Sequence, residues 1–204
     1  MKILLLCTAH NSLSQRLYLT LTLDHEVTIE FALSVGSMIE AATLAHPHLI
    51  ICPFLTSKVP AEVYTKYMTL VVHPGAPGDG GPSALDMLII GEDGTDDDLE
   101  RVMDKDLWSA HGRSHWGVTV LQAIAELDAG PVWAWEQYSI NIDDHSLTKS
   151  NLYRGDVTRA ALAACLVAIK RIQLAAKENT CGESHDVDDQ DGIHPGLEAQ
   201  AEYK

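Results

Sequence analysis

The sequence is short of positive charge: 14 lysines and arginines stand against 29 acidic residues, for a formal net charge of -15. Nucleic-acid backbones are held by clustered Lys and Arg, so with no basic patch a DNA or tRNA partner has no electrostatic support. Long apolar runs are missing too. The opening stretch Met1–Cys7 gives way to Thr8-Ala9-His10-Asn11, too short for an export signal or a membrane span. This predicts a cytoplasmic protein with no membrane partner. Cysteine is sparse, and Cys7, Cys52, Cys165 and Cys181 form no C-x-x-C pair, which predicts reduced, mostly buried thiols. His111 and His115 are four apart, but a glycine lies between them and no third ligand is evident, so no metal site is expected. The first loop also lacks G-x-G-x-x-G, which leaves a nicotinamide site unsupported.

The acidic residues are concentrated. Residues 92–106 carry eight acids and two bases, and residues 175–204 carry the same numbers, so these segments account for -12 of the -15. The remaining body is only slightly acidic. With 204 residues, 46% of them hydrophobic, the chain can bury one core. The expected organisation is a domain over 1–176 with an acidic insertion at about 91–114, followed by an acidic disordered tail or linker over 177–204.

Strand-like and helix-like patterns alternate through the first half. Lys2–Cys7 is an apolar run, Ser12-x-x-Gln15 reads as a capping box opening a helix to about Leu23, and Val27, Ile29, Phe31 and Leu33 alternate as in a strand. Ser37–Ala45 reads as a helix, His48–Phe54 as a strand, Pro60–Tyr67 as a helix, and Met68–Val72 as the strand feeding His73. This rhythm predicts an α/β fold with a mostly parallel, twisted sheet and helices on both faces. A helix at about Ser83–Ile90, strands at Gly117–Ala123 and Pro131–Ser139, and a closing helix at Thr158–Ala176 complete the expectation.

His73 stands where the run Met68–Val72 meets the loop His73–Ser83, in which glycine and proline fill seven of eleven positions. The carboxyl end of a buried parallel strand is where open α/β sheets bind ligands. An isolated histidine there would more simply be a core residue bonded to a carbonyl. The loop favours chemistry, because glycine is costly in a turn with no further duty and lets backbone N–H groups approach a ligand. Asp128, in Leu127-Asp128-Ala129-Gly130-Pro131, lies in a tight turn between two strands. Alone it reads as turn chemistry; beside His73 it would make an acid/base couple.

In this order and after this pattern, Val71-Val72-His73-Pro74 and Leu127-Asp128-Ala129-Gly130 resemble the Asn-x-His-Pro and Leu-Asp-x-Gly signatures of the 10-formyltetrahydrofolate-dependent formyltransferases. The chain is most similar to the formyltransferase-like amino-terminal domain of the HypX (HoxX) hydrogenase-maturation subfamily. That resemblance rests on His73-Pro74-Gly75, Gly78-Asp79, Gly81–Asp86, Trp116–Ala123, Asp128–Ala134, Asn151–Arg154 and Val157-Thr158, and covers about residues 1–172. It implies a Rossmann-like formyltransferase fold. The family's asparagine is Val71 here, residues 91–114 look inserted, and the subfamily's crotonase-like domain has no counterpart in these 204 residues.

The resemblance implies that a formyl group passes from N10 of 10-formyltetrahydrofolate, the co-substrate, to an acceptor through a tetrahedral oxyanion. His73 would donate a hydrogen bond to that oxyanion and Asp128 would pair with His73 and relay a proton. CoA is the implied acceptor, giving formyl-CoA for a crotonase-like decarbonylase domain or chain. Folate would lie along Thr56, Ser57, Lys58 and Val59 and along Leu127 and Gly130, with Trp116 near the pterin. The acceptor would meet Asn11, Ser12, Gly75, Gly78 and Asp79. Read from the residues alone, Lys58 is a solvated lysine, Asn11 and Ser12 are helix caps, and Trp116 is a wall or core aromatic. The change at Val71 leaves three routes open: a backbone N–H from the Gly75–Gly81 loop replaces the amide, a reactive acceptor such as a thiol needs less help, or the site is silent. Hydrolysis of formyltetrahydrofolate and a silent folate-binding module are therefore the competing readings.

Overall fold

The computed structural model describes residues 1–80, 84–90, 114–141, 144 and 146–181. The expected acidic insertion, apart from Ser114, and the expected tail beyond Cys181 lie outside the described residues, as do Gly81–Ser83 and His111. The chain runs β1 (Lys2–Cys7), α1 (Ser12–Leu21), β2 (Glu26–Phe31), α2 (Val35–Ala45), β3 (Leu49–Pro53), α3 (Ala61–Tyr64), β4 (Thr69–His73) and α4 (Ala84–Ile90). It continues through β5 (His115–Gln122), β6 (Val132–Ser139), α5 (Lys149–Arg154) and α6 (Asp156–Cys181).

The strands form one sheet in the order β2-β1-β3-β4-β5-β6. The first four are mutually parallel, and β5 and β6 are added antiparallel. Strands β1, β3 and β4 are near-continuous apolar runs because both faces are covered. Ile3, Leu5, Leu49, Ile51, Leu70 and Val72 point into the layer of α1, α4, α5 and α6. Their neighbours Leu4, Leu6, Ile50 and Cys52 point into the layer of α2 and α3, against Met38, Ala42 and Val63. The period-two pattern thus supplies two cores from one set of strands.

Local chemistry shifts several boundaries. Asn11, not Ser12, caps α1: its side chain accepts from the Ser14 N–H at 2.9 Å, and Ser14 Oγ accepts from the Asn11 N–H at 3.0 Å. The box sits one residue earlier than the S-x-x-Q pattern because asparagine is as good a cap as serine. In the same way Ser34 caps α2. Helix α3 is a single turn of four residues after Pro60. The closing helix begins two residues earlier than its alanine-rich stretch and runs five residues past Ala176, to Cys181. No helix among the described residues is long and apolar enough to cross a membrane.

Candidate active site

His73 is the last residue of β4 and pairs with Thr119 of β5. Two side chains of β5 hold the backbone that follows it. The Trp116 indole donates Nε1–H to the Pro74 carbonyl at 3.0 Å, and the Thr119 hydroxyl donates to the Gly75 carbonyl at 2.7 Å. Buried hydrogen bonds of this kind are costly to break, so the imidazole leaves the strand on a fixed stem.

Asp128 arrives from the opposite direction, in the turn that joins β5 to β6. Its backbone is left-handed, with φ of 52°, a conformation that costs a non-glycine residue roughly 1–2 kcal/mol. The hairpin closes beneath it, where the Gln122 N–H donates to the Pro131 carbonyl at 2.9 Å. Gly130 packs so tightly there that an added Cβ would stand 1.8 Å from the Gln122 carbonyl oxygen. That contact explains the glycine of Leu-Asp-x-Gly by space rather than by torsion. The outcome is Asp128 Oδ2 at 3.4 Å from His73 Nδ1, with the side chains 8% and 5% exposed.

A second carboxylate reaches the same ring. Asp79 Oδ2 lies 3.4 Å from His73 Nε2, on a side chain 33% exposed. The loop folds back to place it there: Gly78 has φ of 89°, and the Asp79 N–H donates to the Ala76 carbonyl at 2.9 Å. Gly75 lies directly under the contact, its absent Cβ leaving room for Asp79 Oδ2 and His73 Nε2. His73 is therefore held between two carboxylates, Asp128 buried and Asp79 half-open to solvent.

His73 and Asp128 form part of the wall of a cavity of about 330 Å³, a size suited to a small-molecule ligand. Thr56, Ser57, Lys58, Val59 and Leu127 line it, as do Phe54, Val71, Gln122, Glu126, Lys149 and Tyr153. Two residues assigned by resemblance to folate do not. Trp116 is buried in the core and spends its N–H on Pro74, and Gly130 is sealed against Gln122. The edge of the cavity is fastened by Lys149 of α5, whose Nζ lies 2.5 Å from Asp86 Oδ2 of α4.

A second, more open crevice of about 680 Å³ lies at the carboxyl end of β1, beside β3, where the strand order reverses. Such a switch point is the usual ligand crevice of doubly wound sheets. Asn11 and Ser12 line it with Thr8, His10, Gln15 and Arg154. Gly75, Gly78 and Asp79 stand apart from this crevice, so the five residues expected to meet an acceptor fall in two places. Asn11 is also tied to β3, donating through its side chain to the Pro53 carbonyl at 2.9 Å.

No family model matches the chain. It is 38% identical over 174 residues to the hydrogenase maturation factor HoxX of Bradyrhizobium diazoefficiens, covering 85% of this chain and 26% of that protein. The crystal structure of HypX from Aquifex aeolicus in complex with tetrahydrofolic acid superposes with a TM-score of 0.71 at 39% identity, over 85% of this chain and 27% of that one. The chain is a formyltransferase-fold relative of HypX. It spans about a quarter of the length of these HypX and HoxX proteins. The fold extends further, since phosphoribosylglycinamide formyltransferase from Campylobacter jejuni matches with a TM-score of 0.55 at 12% identity, covering 85% of this chain and 97% of that one.

Within this HypX-like fold, the cavity has walls that sequence reasoning missed. Phe54, the residue after β3, has a left-handed backbone, φ 55°, and its ring meets Tyr153 of α5 edge to face at 5.2 Å. Burial pushes the Tyr153 phenol above its ordinary pKa; the Lys149 cation opposes this and Asp86 adds to it. Tyr153 sits inside Asn151–Arg154, a segment that carried the resemblance without a role. Gln122 has no such signal: it reads as the polar end of a strand, and only the structure shows its amide oxygen accepting from Trp133 Nε1 at 3.2 Å beside the cavity.

Proposed function

We propose that this chain binds 10-formyltetrahydrofolate in the cavity walled by His73 and Asp128 and transfers its formyl group to CoA, giving formyl-CoA. The observation carrying this reading is the buried His73–Asp128 couple, 3.4 Å apart and facing a ligand-sized cavity. A relative crystallised with tetrahydrofolic acid supports folate as the donor, and a relative that is a hydrogenase maturation factor supports a place in that process.

In the proposed reaction the CoA thiolate attacks the formyl carbon, a C–S bond forms, and negative charge collects on the formyl oxygen. His73 donates a hydrogen bond to that oxygen, a contribution that typically changes rate by a hundredfold or more. The C–N10 bond then breaks, and the proton given up by the thiol is delivered to N10 through Asp128. Asp79 must yield one ring nitrogen of His73 for this donation, and its glycine-rich loop and partial exposure make it the carboxylate free to move. Val71 lines the cavity, so no asparagine amide assists from that position. A thiolate suits such a site, because it is a strong nucleophile that needs less polarisation of the carbonyl than an amine does.

The purified chain incubated with 10-formyltetrahydrofolate, with and without CoA, tests this reading by tetrahydrofolate release and by mass spectrometry of formyl-CoA. CoA-dependent release that falls at least a hundredfold in Asp128→Asn is the expected result. Release that ignores CoA would replace it with a hydrolase, and folate binding without release would leave a silent module.

A further inference from the structure

Both ring nitrogens of His73 meet a carboxylate, Nδ1 that of Asp128 and Nε2 that of Asp79. An ionised carboxylate can only accept, so each contact uses a ring N–H. No N–H is then left for a ligand. Formyl transfer needs one, because the charge that develops on the formyl oxygen has to be met by a donor. One of the two carboxylates must withdraw, and they are not equally free to do so. Asp128 is buried, in a turn that Gly130 seals against Gln122.

The loop around Asp79 is built to make its contact and to release it. The stem is fixed, since the Pro74 and Gly75 carbonyls accept from Trp116 and Thr119 of β5. Past the stem the chain turns through Gly78, and the Asp79 N–H closes the turn on the Ala76 carbonyl. The carboxylate itself is partly exposed, so one that leaves the ring passes into water. Its seat beside Nε2 exists only because residue 75 has no side chain: a Cβ there would stand 2.2 Å from Asp79 Oδ2 and 2.4 Å from the ring nitrogen. Asp79 takes no part in the wall of the cavity beside His73, so it touches the ring and not the space for folate.

We propose that Asp79 is a latch on His73: with no formyl group in the site its carboxylate occupies the ring N–H that the formyl oxygen needs, and the arriving formyl group displaces it into solvent. The inference rests on the formyl-transfer reading and adds how the site tells a loaded donor from a spent one. The formyl oxygen of 10-formyltetrahydrofolate is an acceptor that can take the place of Asp79. Tetrahydrofolate has lost that oxygen, so the latch closes again over the product. Between turnovers the latch also satisfies a buried N–H that is costly to leave unpaired. Binding of the loaded donor is opposed by the latch and binding of the spent one is not, because apparent affinity falls with the fraction of sites in the competent state.

The test is the affinity of 10-formyltetrahydrofolate and of tetrahydrofolate, each without CoA, for the wild-type chain and for Asp79→Ala by isothermal titration calorimetry, with 15N NMR of the His73 ring. Asp79→Ala is expected to bind 10-formyltetrahydrofolate about fivefold more tightly, the worth of a partly exposed charged pair, and tetrahydrofolate within about twofold of wild type. In the wild-type chain the Nε2 resonance should move when 10-formyltetrahydrofolate is added and stay in place with tetrahydrofolate, which carries the test if Asp79→Ala fails to fold. Equal tightening of both ligands would assign the effect to the lost negative charge and overturn the latch. Unchanged or weaker binding of 10-formyltetrahydrofolate by a folded Asp79→Ala would overturn it too, as would an Nε2 resonance that ignores the formyl group. A wild-type chain that binds neither ligand overturns the folate reading first, and the latch with it.

Discussion

Replacing Gly130 by alanine puts one methyl group where the structure leaves no room. The new Cβ would lie 1.8 Å from the Gln122 carbonyl oxygen and 2.9 Å from its carbon, both backbone atoms of β5. Carbon and oxygen rest at about 3.3 Å or more, so the hairpin must open by roughly 1.5 Å. The same hairpin is closed by the Gln122-to-Pro131 hydrogen bond and carries Asp128 two residues before the substitution. Overpacking of this kind typically costs about 1–3 kcal/mol, which for a domain of this size lowers Tm by roughly 2–12 °C. A misplacement near 1 Å at a reacting group costs on the order of a hundredfold in rate. Differential scanning calorimetry and the formyl-transfer assay should therefore show a modest loss of stability beside a large loss of turnover. A Gly130→Ala chain with wild-type Tm would refute the packing argument, and one with lowered Tm but full turnover would refute the dependence of the couple on this turn.

Gly75→Ala makes the contrasting case, because the nearest atoms its Cβ would meet belong to the side chains of Asp79 and His73 and not to backbone. Asp79 should move aside, costing less stability than Gly130→Ala while shifting the His73 ring resonances in NMR. Tyr138 is buried with no hydrogen-bond partner for its hydroxyl among the described residues. Tyr138→Phe should accordingly leave stability unchanged or raise it by about 1 kcal/mol in denaturant titration; a loss above that would reveal an unseen partner. Burial pushes the Cys7 thiol from 9.0 up to about 11, and the Cys165 thiol up to about 12. The unfolded chain then ionises first, so stability is intact below about pH 9 and is lost as pH rises toward 11 and beyond. Urea midpoints at pH 8, 9.5 and 10.5 should fall in that order, and peptide mapping should find Cys7, Cys52 and Cys165 unalkylated at pH 8 in the folded chain.

The strands were legible because burial on both faces writes itself as an apolar run, and His73 because a polar residue stopped one. Direction was not legible. Gly117–Ala123 looks the same read either way, and only the tight turn at Asp128 marked β5 and β6 as neighbours. Helix α5 escaped because six residues show no usable period. The Asp79 contact escaped for another reason: a loop of glycine and proline carries no pattern, and its path is decided by hydrogen bonds from Trp116 and Thr119, more than thirty residues away in sequence. Trp116 reads from the residues as a wall or core aromatic, as it is, and only the resemblance put it near a pterin; its N–H holds the stem of His73. Phe54 gave no sign of its left-handed backbone, since an aromatic residue at the end of an apolar run carries no mark of a positive φ.

The antiparallel pairing of β4 with β5 has a consequence for how the chain tolerates change. His73 faces Thr119 and Leu70 faces Gln122, so the distance from His73 to the Asp128 turn is counted in rungs of the ladder and not in residues of intervening chain. An insertion between Ile90 and Ser114 falls outside that ladder and leaves the ring and carboxylate in step. Deleting a single residue between Thr119 and Asp128 would put them out of step altogether.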